Sequence, residues 1–419
     1  MTDLTPLETP SSSLPVQRIV LLCALAFVVL CSYEVARPAC ESLFLEAYGS
    51  AALPQVWIVV AIVAALVVTV YNRFSASVPL VRLFAIAAGI SATLLIVLLQ
   101  LFQADVPEAA FALYVWKDVY VVVLVEIFWS FANASFAIGT AKWVYGLFCV
   151  MGSLGSMVGG KGVGYLAKEW GTVQSLWLVI PLLALSWLLC VFLKRLDAPT
   201  QSEQQPQHSS LQEGFSVLLK SRYLVLILAL IVVIQVVITL VDYQFNVMVE
   251  QYTQNTDERT ALIGNVYAAI SMGSMTLQLA TGPILRFVGI PLTLFCIPLV
   301  LGGAVGLMAA APRFLATAAA KVVGKCLDYS LFRAAKEILY IPLNYAEKTQ
   351  GKAVIDILAY RVAKGVASGL VLLLVWVDLR SWISWIAVLL VVVWIQLTVM
   401  IVRRYTRWVE TIEKRELRP

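Results

Sequence analysis

Ionisable side chains interrupt an apolar, alanine-rich stretch that begins near residue 312. At 100° per residue, one helix face about 80° wide carries Lys321, Lys325, Asp328, Phe332 and Lys336. Each charge costs about 2.5–3.5 kcal/mol at the middle of a bilayer, so this stripe is expected to face a cavity filled with water or ligand. We interpret the helix as one wall of a path for an anion. In the alternative interpretation, the lysines reach toward a helix end and Asp328 pairs with Lys325.

The composition of the chain is unusually apolar. The chain has 419 residues, of which 61% are hydrophobic and 13% charged, and its mean hydropathy is +0.88. These values exclude an ordinary soluble globular protein. Apolar segments of about 20 residues, long enough to span a bilayer as helices, recur along nearly the whole chain. The sequence therefore predicts an all-α polytopic membrane protein.

Twelve membrane spans are expected, near residues 17–36, 54–71, 79–102, 109–131, 141–166, 173–194, 222–247, 259–285, 289–310, 312–333, 353–376 and 382–402. The longest polar interruption divides them six and six, which predicts two six-helix bundles joined by a linker. The expected segments are an N-terminal tail (1–16), a first bundle (17–194), a linker (195–221), a second bundle (222–402) and a basic tail (403–419).

The connections alternate in charge and predict the orientation. Lysine and arginine concentrate on one side, together with the basic tail, whereas the other side carries acids such as Glu41, Glu46 and Asp105. Cytoplasmic loops are the basic ones, so both termini are expected in the cytoplasm of a bacterial inner membrane. The net charge of +5 is then explained by basic residues at the cytoplasmic leaflet, where anionic lipids attract them, and no nucleic-acid partner is needed. We expect a monomer.

Enzymatic chemistry has little support in the sequence. The seven cysteines show no CxxC spacing, and the one histidine, His208, lies in the polar linker. No phosphate-binding loop of the G-x-x-x-x-G-K-[ST] type is present. We therefore expect no catalytic residues, no metal site and no cofactor. Residues 1–15 carry acids and no lysine or arginine, so the first hydrophobic run is expected to be a retained helix.

Other spans also contain charges. Lys117, Asp118 and Glu126 occur in the fourth span, and the two carboxylates lie about 80° apart on a helix, so both could face one cavity. Asp242 occurs late in the seventh span. Arg37 follows the first span, where Pro38 predicts an unwound turn. In the alternative interpretation, the outer ends of the helices are marked by Lys117, Asp118, Asp242 and Arg37.

Glycines in the fifth span have the three- and four-residue spacing that lets helix backbones approach closely. Gly155, Gly159 and Gly160 partly resemble the fifth-helix motif of major facilitator antiporters. The segment from Gly282 to Gly289 resembles a degenerate loop motif of the same superfamily. These features favour a major facilitator-like architecture.

The eleventh span extends the basic surface, because Arg361 and Lys364 are neighbours on one helix face. A cavity that contains these two residues with Lys321, Lys325 and Lys336 would favour an anion. Phosphate suits such a set, since arginine offers a two-pronged donor and lysine a mobile point charge.

The region from Lys325 to Leu343, followed by Gly351–Asp356 and Arg361–Lys364, resembles the ATP/ADP translocases of intracellular bacteria and plastids. Phe128–Asn133 and, more loosely, Tyr33–Arg37 match two further stretches of that family. The resemblance implies nucleotide exchange, with important charges in the first, fourth, seventh and tenth spans.

The resemblance implies roles for individual residues. Lys336, beside Glu337, fits the family's tenth-span lysine, and Asp118 and Asp242 stand where the family has glutamates. In the first span Arg37 is retained, but Cys40 replaces a lysine, which fits a relative adapted to a smaller or differently charged substrate.

Two functions are compatible with these residues. The first is a secondary transporter that exchanges nucleotides or a related phosphorylated anion, and the second is a proton-coupled permease for another organic anion, such as a metabolite or siderophore. The expected substrate-binding residues are Arg37, Lys117, Lys321, Lys325, Lys336, Arg361 and Lys364. The expected coupling or gating carboxylates are Asp118, Glu126, Asp242, Asp328 and Glu337. A membrane enzyme or a scaffold without transport activity is a third, less favoured possibility.

Overall fold

The chain folds into long helices in the computed structural model, which describes residues 14–75, 78–136, 138–195, 211–340, 343–344 and 347–416. These residues contain no β-strand and form twelve long helices. The helices are α1 (Leu14–Tyr48), α2 (Leu53–Ser75), α3 (Leu80–Gln103), α4 (Glu108–Ser135), α5 (Ile138–Trp170), α6 (Val179–Arg195), α7 (Arg222–Tyr252), α8 (Thr256–Phe287), α9 (Ile290–Ala310), α10 (Phe314–Leu327), α11 (Lys352–Trp376) and α12 (Ile383–Glu416). Short helices Thr172–Leu176 and Leu211–Lys220 precede α6 and α7.

The predicted all-α fold is confirmed for this part of the chain, and each long helix corresponds to one expected span. The predicted N-terminal tail lies outside the described residues up to position 13, as do most of the linker (196–210), with His208, and positions 417–419 of the basic tail.

Within the described ranges, seven helical segments are long and apolar enough to cross a membrane, and they include α2, α3, α7, α9 and most of α1. Other long helices carry more charges: α4, for example, contains Glu108, Lys117, Asp118 and Glu126. Charged residues are tolerated in a membrane segment where they face the inside of the bundle. The protein is therefore a multi-pass membrane protein with a polar interior.

The first six helices pack among themselves around α1, which contacts α4, α5 and α6, and the last six pack around α7, which contacts α10, α11 and α12. The two groups meet where α5 packs against α8 and where α2 packs against α11. Helix α1 also contacts α8. Side chains on α1, α2, α5, α8 and α11 therefore lie near the boundary between the halves.

The glycines of α5 allow close helix contacts, as their spacing predicts. A Cβ atom at Gly155 or Gly159 would overlap the backbone carbonyl oxygen of Phe27 or Cys31 on α1. At Gly160 a Cβ would lie 2.8 Å from the carbonyl oxygen of Gly264 on α8. The prediction of close helix packing is confirmed.

A valine at position 159 should prevent this packing. We expect Gly159→Val to lower the free energy of unfolding by about 3 kcal/mol, the upper end of the usual cost of overpacking, because the obstructing atoms are backbone and cannot rotate away. Thermal unfolding in detergent and the yield of monodisperse protein would measure the loss. Gly162→Val is the matched control, since a Cβ at Gly162 meets no atom within 4 Å. Equal behaviour of the two variants would contradict this account.

Two helices differ locally from expectation. The predicted unwound turn at Pro38 is wrong, because α1 continues through it to Tyr48. A proline removes one backbone donor, and the residues that follow it, such as Leu43 and Phe44, are buried in the bundle. Helix α10 departs from expectation in the opposite way, because it does not continue as a regular α-helix to the end of the expected span. A π-helical turn (Asp328–Phe332) follows it, and a short helix (Arg333–Leu339) completes the tenth span.

Candidate functional site

A cavity of about 260 Å³ lies between the two halves. We call it the charged cavity. Its walls come from α1, α2 and α4 on one side and from α7, α8, α10 and α11 on the other. The ionisable residues of its walls, apart from tyrosines, are Arg37, Glu41, Lys117, Asp118, Asp242, Lys321, Lys325 and Lys364.

The first half contributes an ion-pair network around Lys117, whose side chain is almost fully buried. Its Nζ lies 2.9 Å from Asp118 Oδ1 and 3.6 Å from Glu41 Oε1. Arg37 donates from Nε to the same Glu41 oxygen at 3.3 Å and lies 3.5 Å from Glu34. Such pairing is what a buried charge requires, because an unpaired ion loses its hydration without compensation.

The second half is centred on one carboxylate that binds two lysines. Asp242 on α7 lies 3.3 Å from Lys321 Nζ and 2.9 Å from Lys325 Nζ, both on α10. The two lysines are four residues apart and therefore lie on one face of α10. In the described structure Asp242 is the one carboxylate paired with both lysines, so this side of the cavity keeps an excess of positive charge.

Tyr267 on α8 connects the two networks. Its hydroxyl donates to the Glu41 carboxylate, with oxygen separations of 3.0 and 3.1 Å, and accepts from Lys321 Nζ at 3.1 Å. The Arg37 guanidinium lies over its ring at 3.8 Å from the centroid, a distance suited to cation–π attraction. Hydrogen bonds thus run from α1 through α8 to α10 across the boundary between the halves.

Lys364 differs from the other cations of the charged cavity. Among the described residues, no carboxylate lies within ion-pair distance of it; its Nζ is 6.0 Å from the centroid of the Trp57 ring. Trp57 in turn donates to the Tyr114 hydroxyl at 2.8 Å. In the described part of the structure, the walls therefore carry five cationic side chains against three carboxylates, a surplus that favours an anionic ligand.

A second cavity of about 310 Å³ adjoins the first. We call it the aromatic cavity, since Phe128, Trp129 and Phe148 line it. Both cavities share the wall residues Tyr33, Arg37, Tyr267, Lys325 and Tyr329. Together they offer a cationic compartment next to a compartment with aromatic rings.

The π-helical turn joins the wall of the aromatic cavity to α8. Gln278 donates from Nε2 to the backbone carbonyl oxygen of Tyr329 at 3.2 Å, and its Oε1 is buried without a hydrogen-bond partner. A π turn disturbs the regular backbone pairing of a helix, and such turns are frequent at functional sites. Gln278 satisfies one carbonyl group that the turn provides.

The structure brings most of the predicted site residues together. Arg37, Lys117, Asp118, Asp242, Lys321, Lys325 and Lys364 all line the charged cavity. The alternative in which Lys117, Asp118 and Asp242 mark helix ends is wrong, because α4 and α7 extend well beyond them. The predicted pair between Asp328 and Lys325 is also absent from the ion pairs of the described residues. Lys325 binds Asp242, and buried Asp328 accepts from Gln235 at 3.2 Å.

Lys336 and Glu337 do not line either cavity. The stripe predicted from Lys321 to Lys336 assumed a regular helix, and the π turn inserts an extra residue that rotates the positions after it by roughly 100°. Arg333 reaches the wall of the aromatic cavity instead. Lys336 is buried with its Nζ 3.7 Å from Glu337, which also pairs with Lys352. A role of Lys336 in substrate binding stays a prediction.

Glu126 is exposed and lies outside the walls of both cavities, so the expected shared cavity with Asp118 is not formed. Helix α4 presents Phe128 and Trp129 to the aromatic cavity, and Glu126 lies on another side of the helix. Arg361 lies on α11, but its side chain falls outside the described residues. Its predicted role stays a prediction.

Sequence reasoning missed three central residues. Glu41 was assigned to an outer loop because α1 was expected to end before Pro38, yet it is buried in the ion-pair network. The length of the apolar run through Leu45 was the available signal. Tyr267 and Trp57 gave none, because an aromatic residue in an apolar helix is typical of any bundle core.

One end of the bundle is closed by hydrogen bonds between the halves. Glu250 accepts from the backbone N–H of Ser50 at 2.9 Å, and Asp257 accepts from that of Thr172 at 2.7 Å. The Ser42 hydroxyl donates to the carbonyl oxygen of Thr256 at 2.8 Å. These contacts lie where α1 joins α2, where α5 leads to α6 and where α7 joins α8, beyond the charged cavity.

Sequence comparisons agree with this geometry. A family model described as TLC ATP/ADP transporter matches residues 302–405, which include Lys321, Lys325 and Lys364. The predicted resemblance to the ATP/ADP translocases is confirmed. A model of the Major Facilitator Superfamily matches residues 141–324.

Individual relatives of the translocase type are similar over part of their length. The ADP,ATP carrier protein 1 of Chlamydia muridarum is 27% identical over 296 residues, which cover 60% of this chain and 56% of the relative. The chloroplastic ADP,ATP carrier protein 2 of Arabidopsis thaliana is 26% identical, with 59% and 46% covered. The chain therefore spans about half the length of these relatives.

Solved structures confirm the predicted major facilitator-like fold. The nucleoside transporter NupG superimposes with a TM-score of 0.63 at 13% identity, covering 93% of this chain and 98% of that protein. A bacterial homologue of the iron transporter ferroportin, solved in an inward-facing state, gives a TM-score of 0.68 at 10% identity, with 94% and 100% covered. At these identities the likeness concerns the fold alone.

Proposed function

We propose that this protein is a secondary transporter that exchanges nucleotides, or a related phosphorylated anion, across a bacterial inner membrane. The surplus of cations in the charged cavity is the observation that carries the proposal. The translocase match includes Lys321, Lys325 and Lys364. The adjoining aromatic cavity offers rings against which a planar group can stack.

Binding would proceed by exchange of partners. A phosphate entering the charged cavity meets Lys364, which has no carboxylate partner among the described residues, and then competes with Asp242 for Lys321 and Lys325. Charge-assisted hydrogen bonds to phosphate are short and strong, so this competition favours an anion with several oxygens. The substrate charge would thus replace the internal pairing that holds the lysines while the cavity is empty.

Alternating access would require the closed end to open. The bonds from Glu250 to Ser50 and from Asp257 to Thr172 join opposite halves, and both would have to break. Opening would then be rigid-body motion of one bundle against the other around the charged cavity. We place both termini in the cytoplasm because they lie on the same side as the connections rich in lysine and arginine, and such connections face the cytoplasm. We also propose a monomer.

Proteoliposomes test the proposal directly. We expect labelled ATP or ADP to accumulate in vesicles that contain nucleotide and not in empty vesicles, because an exchanger moves one substrate inward only as it moves another outward. Vesicles without protein provide the background. Equal uptake into empty and nucleotide-loaded vesicles would contradict exchange, and uptake of neither nucleotide would contradict nucleotide transport.

A second function is favoured by one observation. Asp118, Glu41 and Asp242 already neutralise much of the cationic charge in the cavity, so a smaller organic anion could suffice as the substrate. A protonatable carboxylate among them would then couple uptake to the proton gradient. Uptake that an uncoupler abolishes and that internal nucleotide does not change would favour this permease over the exchanger.

A further inference from the structure

Arginines gather far from the charged cavity, where α7 begins and α12 approaches its end. A cavity of about 550 Å³ between the two helices is lined by Leu219, Arg222, Val225, Leu226, Met400, Arg403, Arg404 and Arg407. We call it the arginine pocket. The closed end, at Glu250, lies at the opposite end of α7.

The arginine pocket has a sidedness that matches its place in the bilayer. On α12, Met400, Arg403, Arg404 and Arg407 are spaced three and four residues apart and share one helix face. Arg222 is also the first residue of α7, a segment that can cross a membrane, and the three arginines of α12 line the pocket opposite it. The guanidinium groups therefore lie at headgroup level, and Val225, Leu226 and Met400 lie toward the hydrocarbon.

Nothing in the described ion pairs neutralises most of this charge. No described carboxylate lies within 4 Å of Arg222, Arg403 or Arg404, and all three side chains are exposed. Arg222 also occupies the first turn of α7, where the positive end of the helix dipole disfavours a cation. An anion bound here would offset the repulsion among the arginines and also the unfavourable interaction of Arg222 with the helix dipole.

The neighbouring short helix supports a position at the membrane surface. Leu211–Lys220 immediately precedes α7 and carries exposed apolar residues, with Phe215 42% and Leu219 73% exposed. Exposed apolar side chains on a short helix between two spans are typical of a segment that lies in the membrane interface.

We propose that the arginine pocket binds an anionic phospholipid, such as phosphatidylglycerol. Its phosphate accepts from the arginine guanidinium groups, which match phosphate oxygens in pairs. One acyl chain lies along Val225, Leu226 and Met400. Such a lipid would hold α7 to α12 within the second half, independently of what the charged cavity transports.

Lipid binding to purified full-length protein tests this site. We expect native mass spectrometry to show binding of dioleoylphosphatidylglycerol at least about tenfold tighter than binding of dioleoylphosphatidylcholine, because the two lipids have the same acyl chains and only the first has a net negative charge. The double variant Arg403→Gln/Arg404→Gln should lose this preference. Arg195→Gln/Arg286→Gln, which removes two exposed charges outside the pocket, should keep it.

Each other outcome would overturn the proposal. Equal loss in both double variants would indicate general attraction to the basic surface, and equal binding of the two lipids would indicate that charge has no role. Full displacement of the lipid by millimolar inorganic phosphate would indicate a site for free anions. If the first double variant does not fold, Arg222→Gln on the facing helix gives the same test, and unchanged preference there would refute the site.

Discussion

Asp242→Asn should reduce nucleotide exchange at least about 100-fold. Among the described residues, the substitution removes the one carboxylate that lies within 4 Å of both Lys321 and Lys325, and removal of one partner of a buried ion pair typically costs about 3–5 kcal/mol. The two ammonium groups would then repel each other on one face of α10. Exchange in proteoliposomes measures the loss of transport, and thermal unfolding of the purified protein measures the loss of stability.

The control variants separate charge from general damage. Asp378→Asn makes the same chemical change at an exposed position outside both cavities and should leave exchange unchanged. Asp242→Glu retains the negative charge and should recover part of the activity and most of the stability. If Asp242→Asn exchanges nucleotide as well as Asp378→Asn does, Asp242 does not organise the lysines and our account of the second half is wrong.

The charges inside the membrane were the most predictable part of the site. Lys117, Asp242, Lys321 and Lys325 occur in stretches otherwise apolar, and a bilayer penalises each of them enough to require an internal position. Twelve spans divided by one polar linker likewise follow from hydropathy, because the hydrocarbon thickness sets the length of a helix. Both inferences depend on the free energy of transferring single residues from water into the bilayer, which can be estimated from the sequence without knowing the fold.

Local departures from regular helices were not predictable in this way. The π turn at Asp328–Phe332 moves Lys336 away from the cavities, and α1 passes through Pro38 to bury Glu41. Each depends on what the helix packs against: Gln278 on α8 donates to the altered backbone at Tyr329, and the bundle core surrounds Leu43 and Phe44. Periodicity assumes that helices continue unchanged, so it fails where tertiary contacts stabilise an exception.

The paired and unpaired lysines should respond differently to substitution, and Lys364 provides the clearest case. Lys364→Met removes a cation that has no carboxylate partner among the described residues, so we expect little change in thermal stability. If this lysine is the first to meet the substrate phosphate, its loss costs a charge-assisted hydrogen bond of about 1.5–3 kcal/mol, which corresponds to roughly a 10- to 150-fold rise in the dissociation constant for nucleotide.

Two comparisons complete this test. Lys168→Met removes a lysine that is exposed near the end of α5, outside both cavities, and should leave nucleotide binding unchanged. Lys325→Met should weaken binding and also lower stability, because it deprives Asp242 of its nearer partner, at 2.9 Å. Binding is measured by the nucleotide concentration that half-saturates the shift in thermal unfolding. An unchanged dissociation constant in Lys364→Met would show that the substrate binds the paired lysines without help from Lys364. The surplus of cations in the charged cavity would then not be explained by substrate binding.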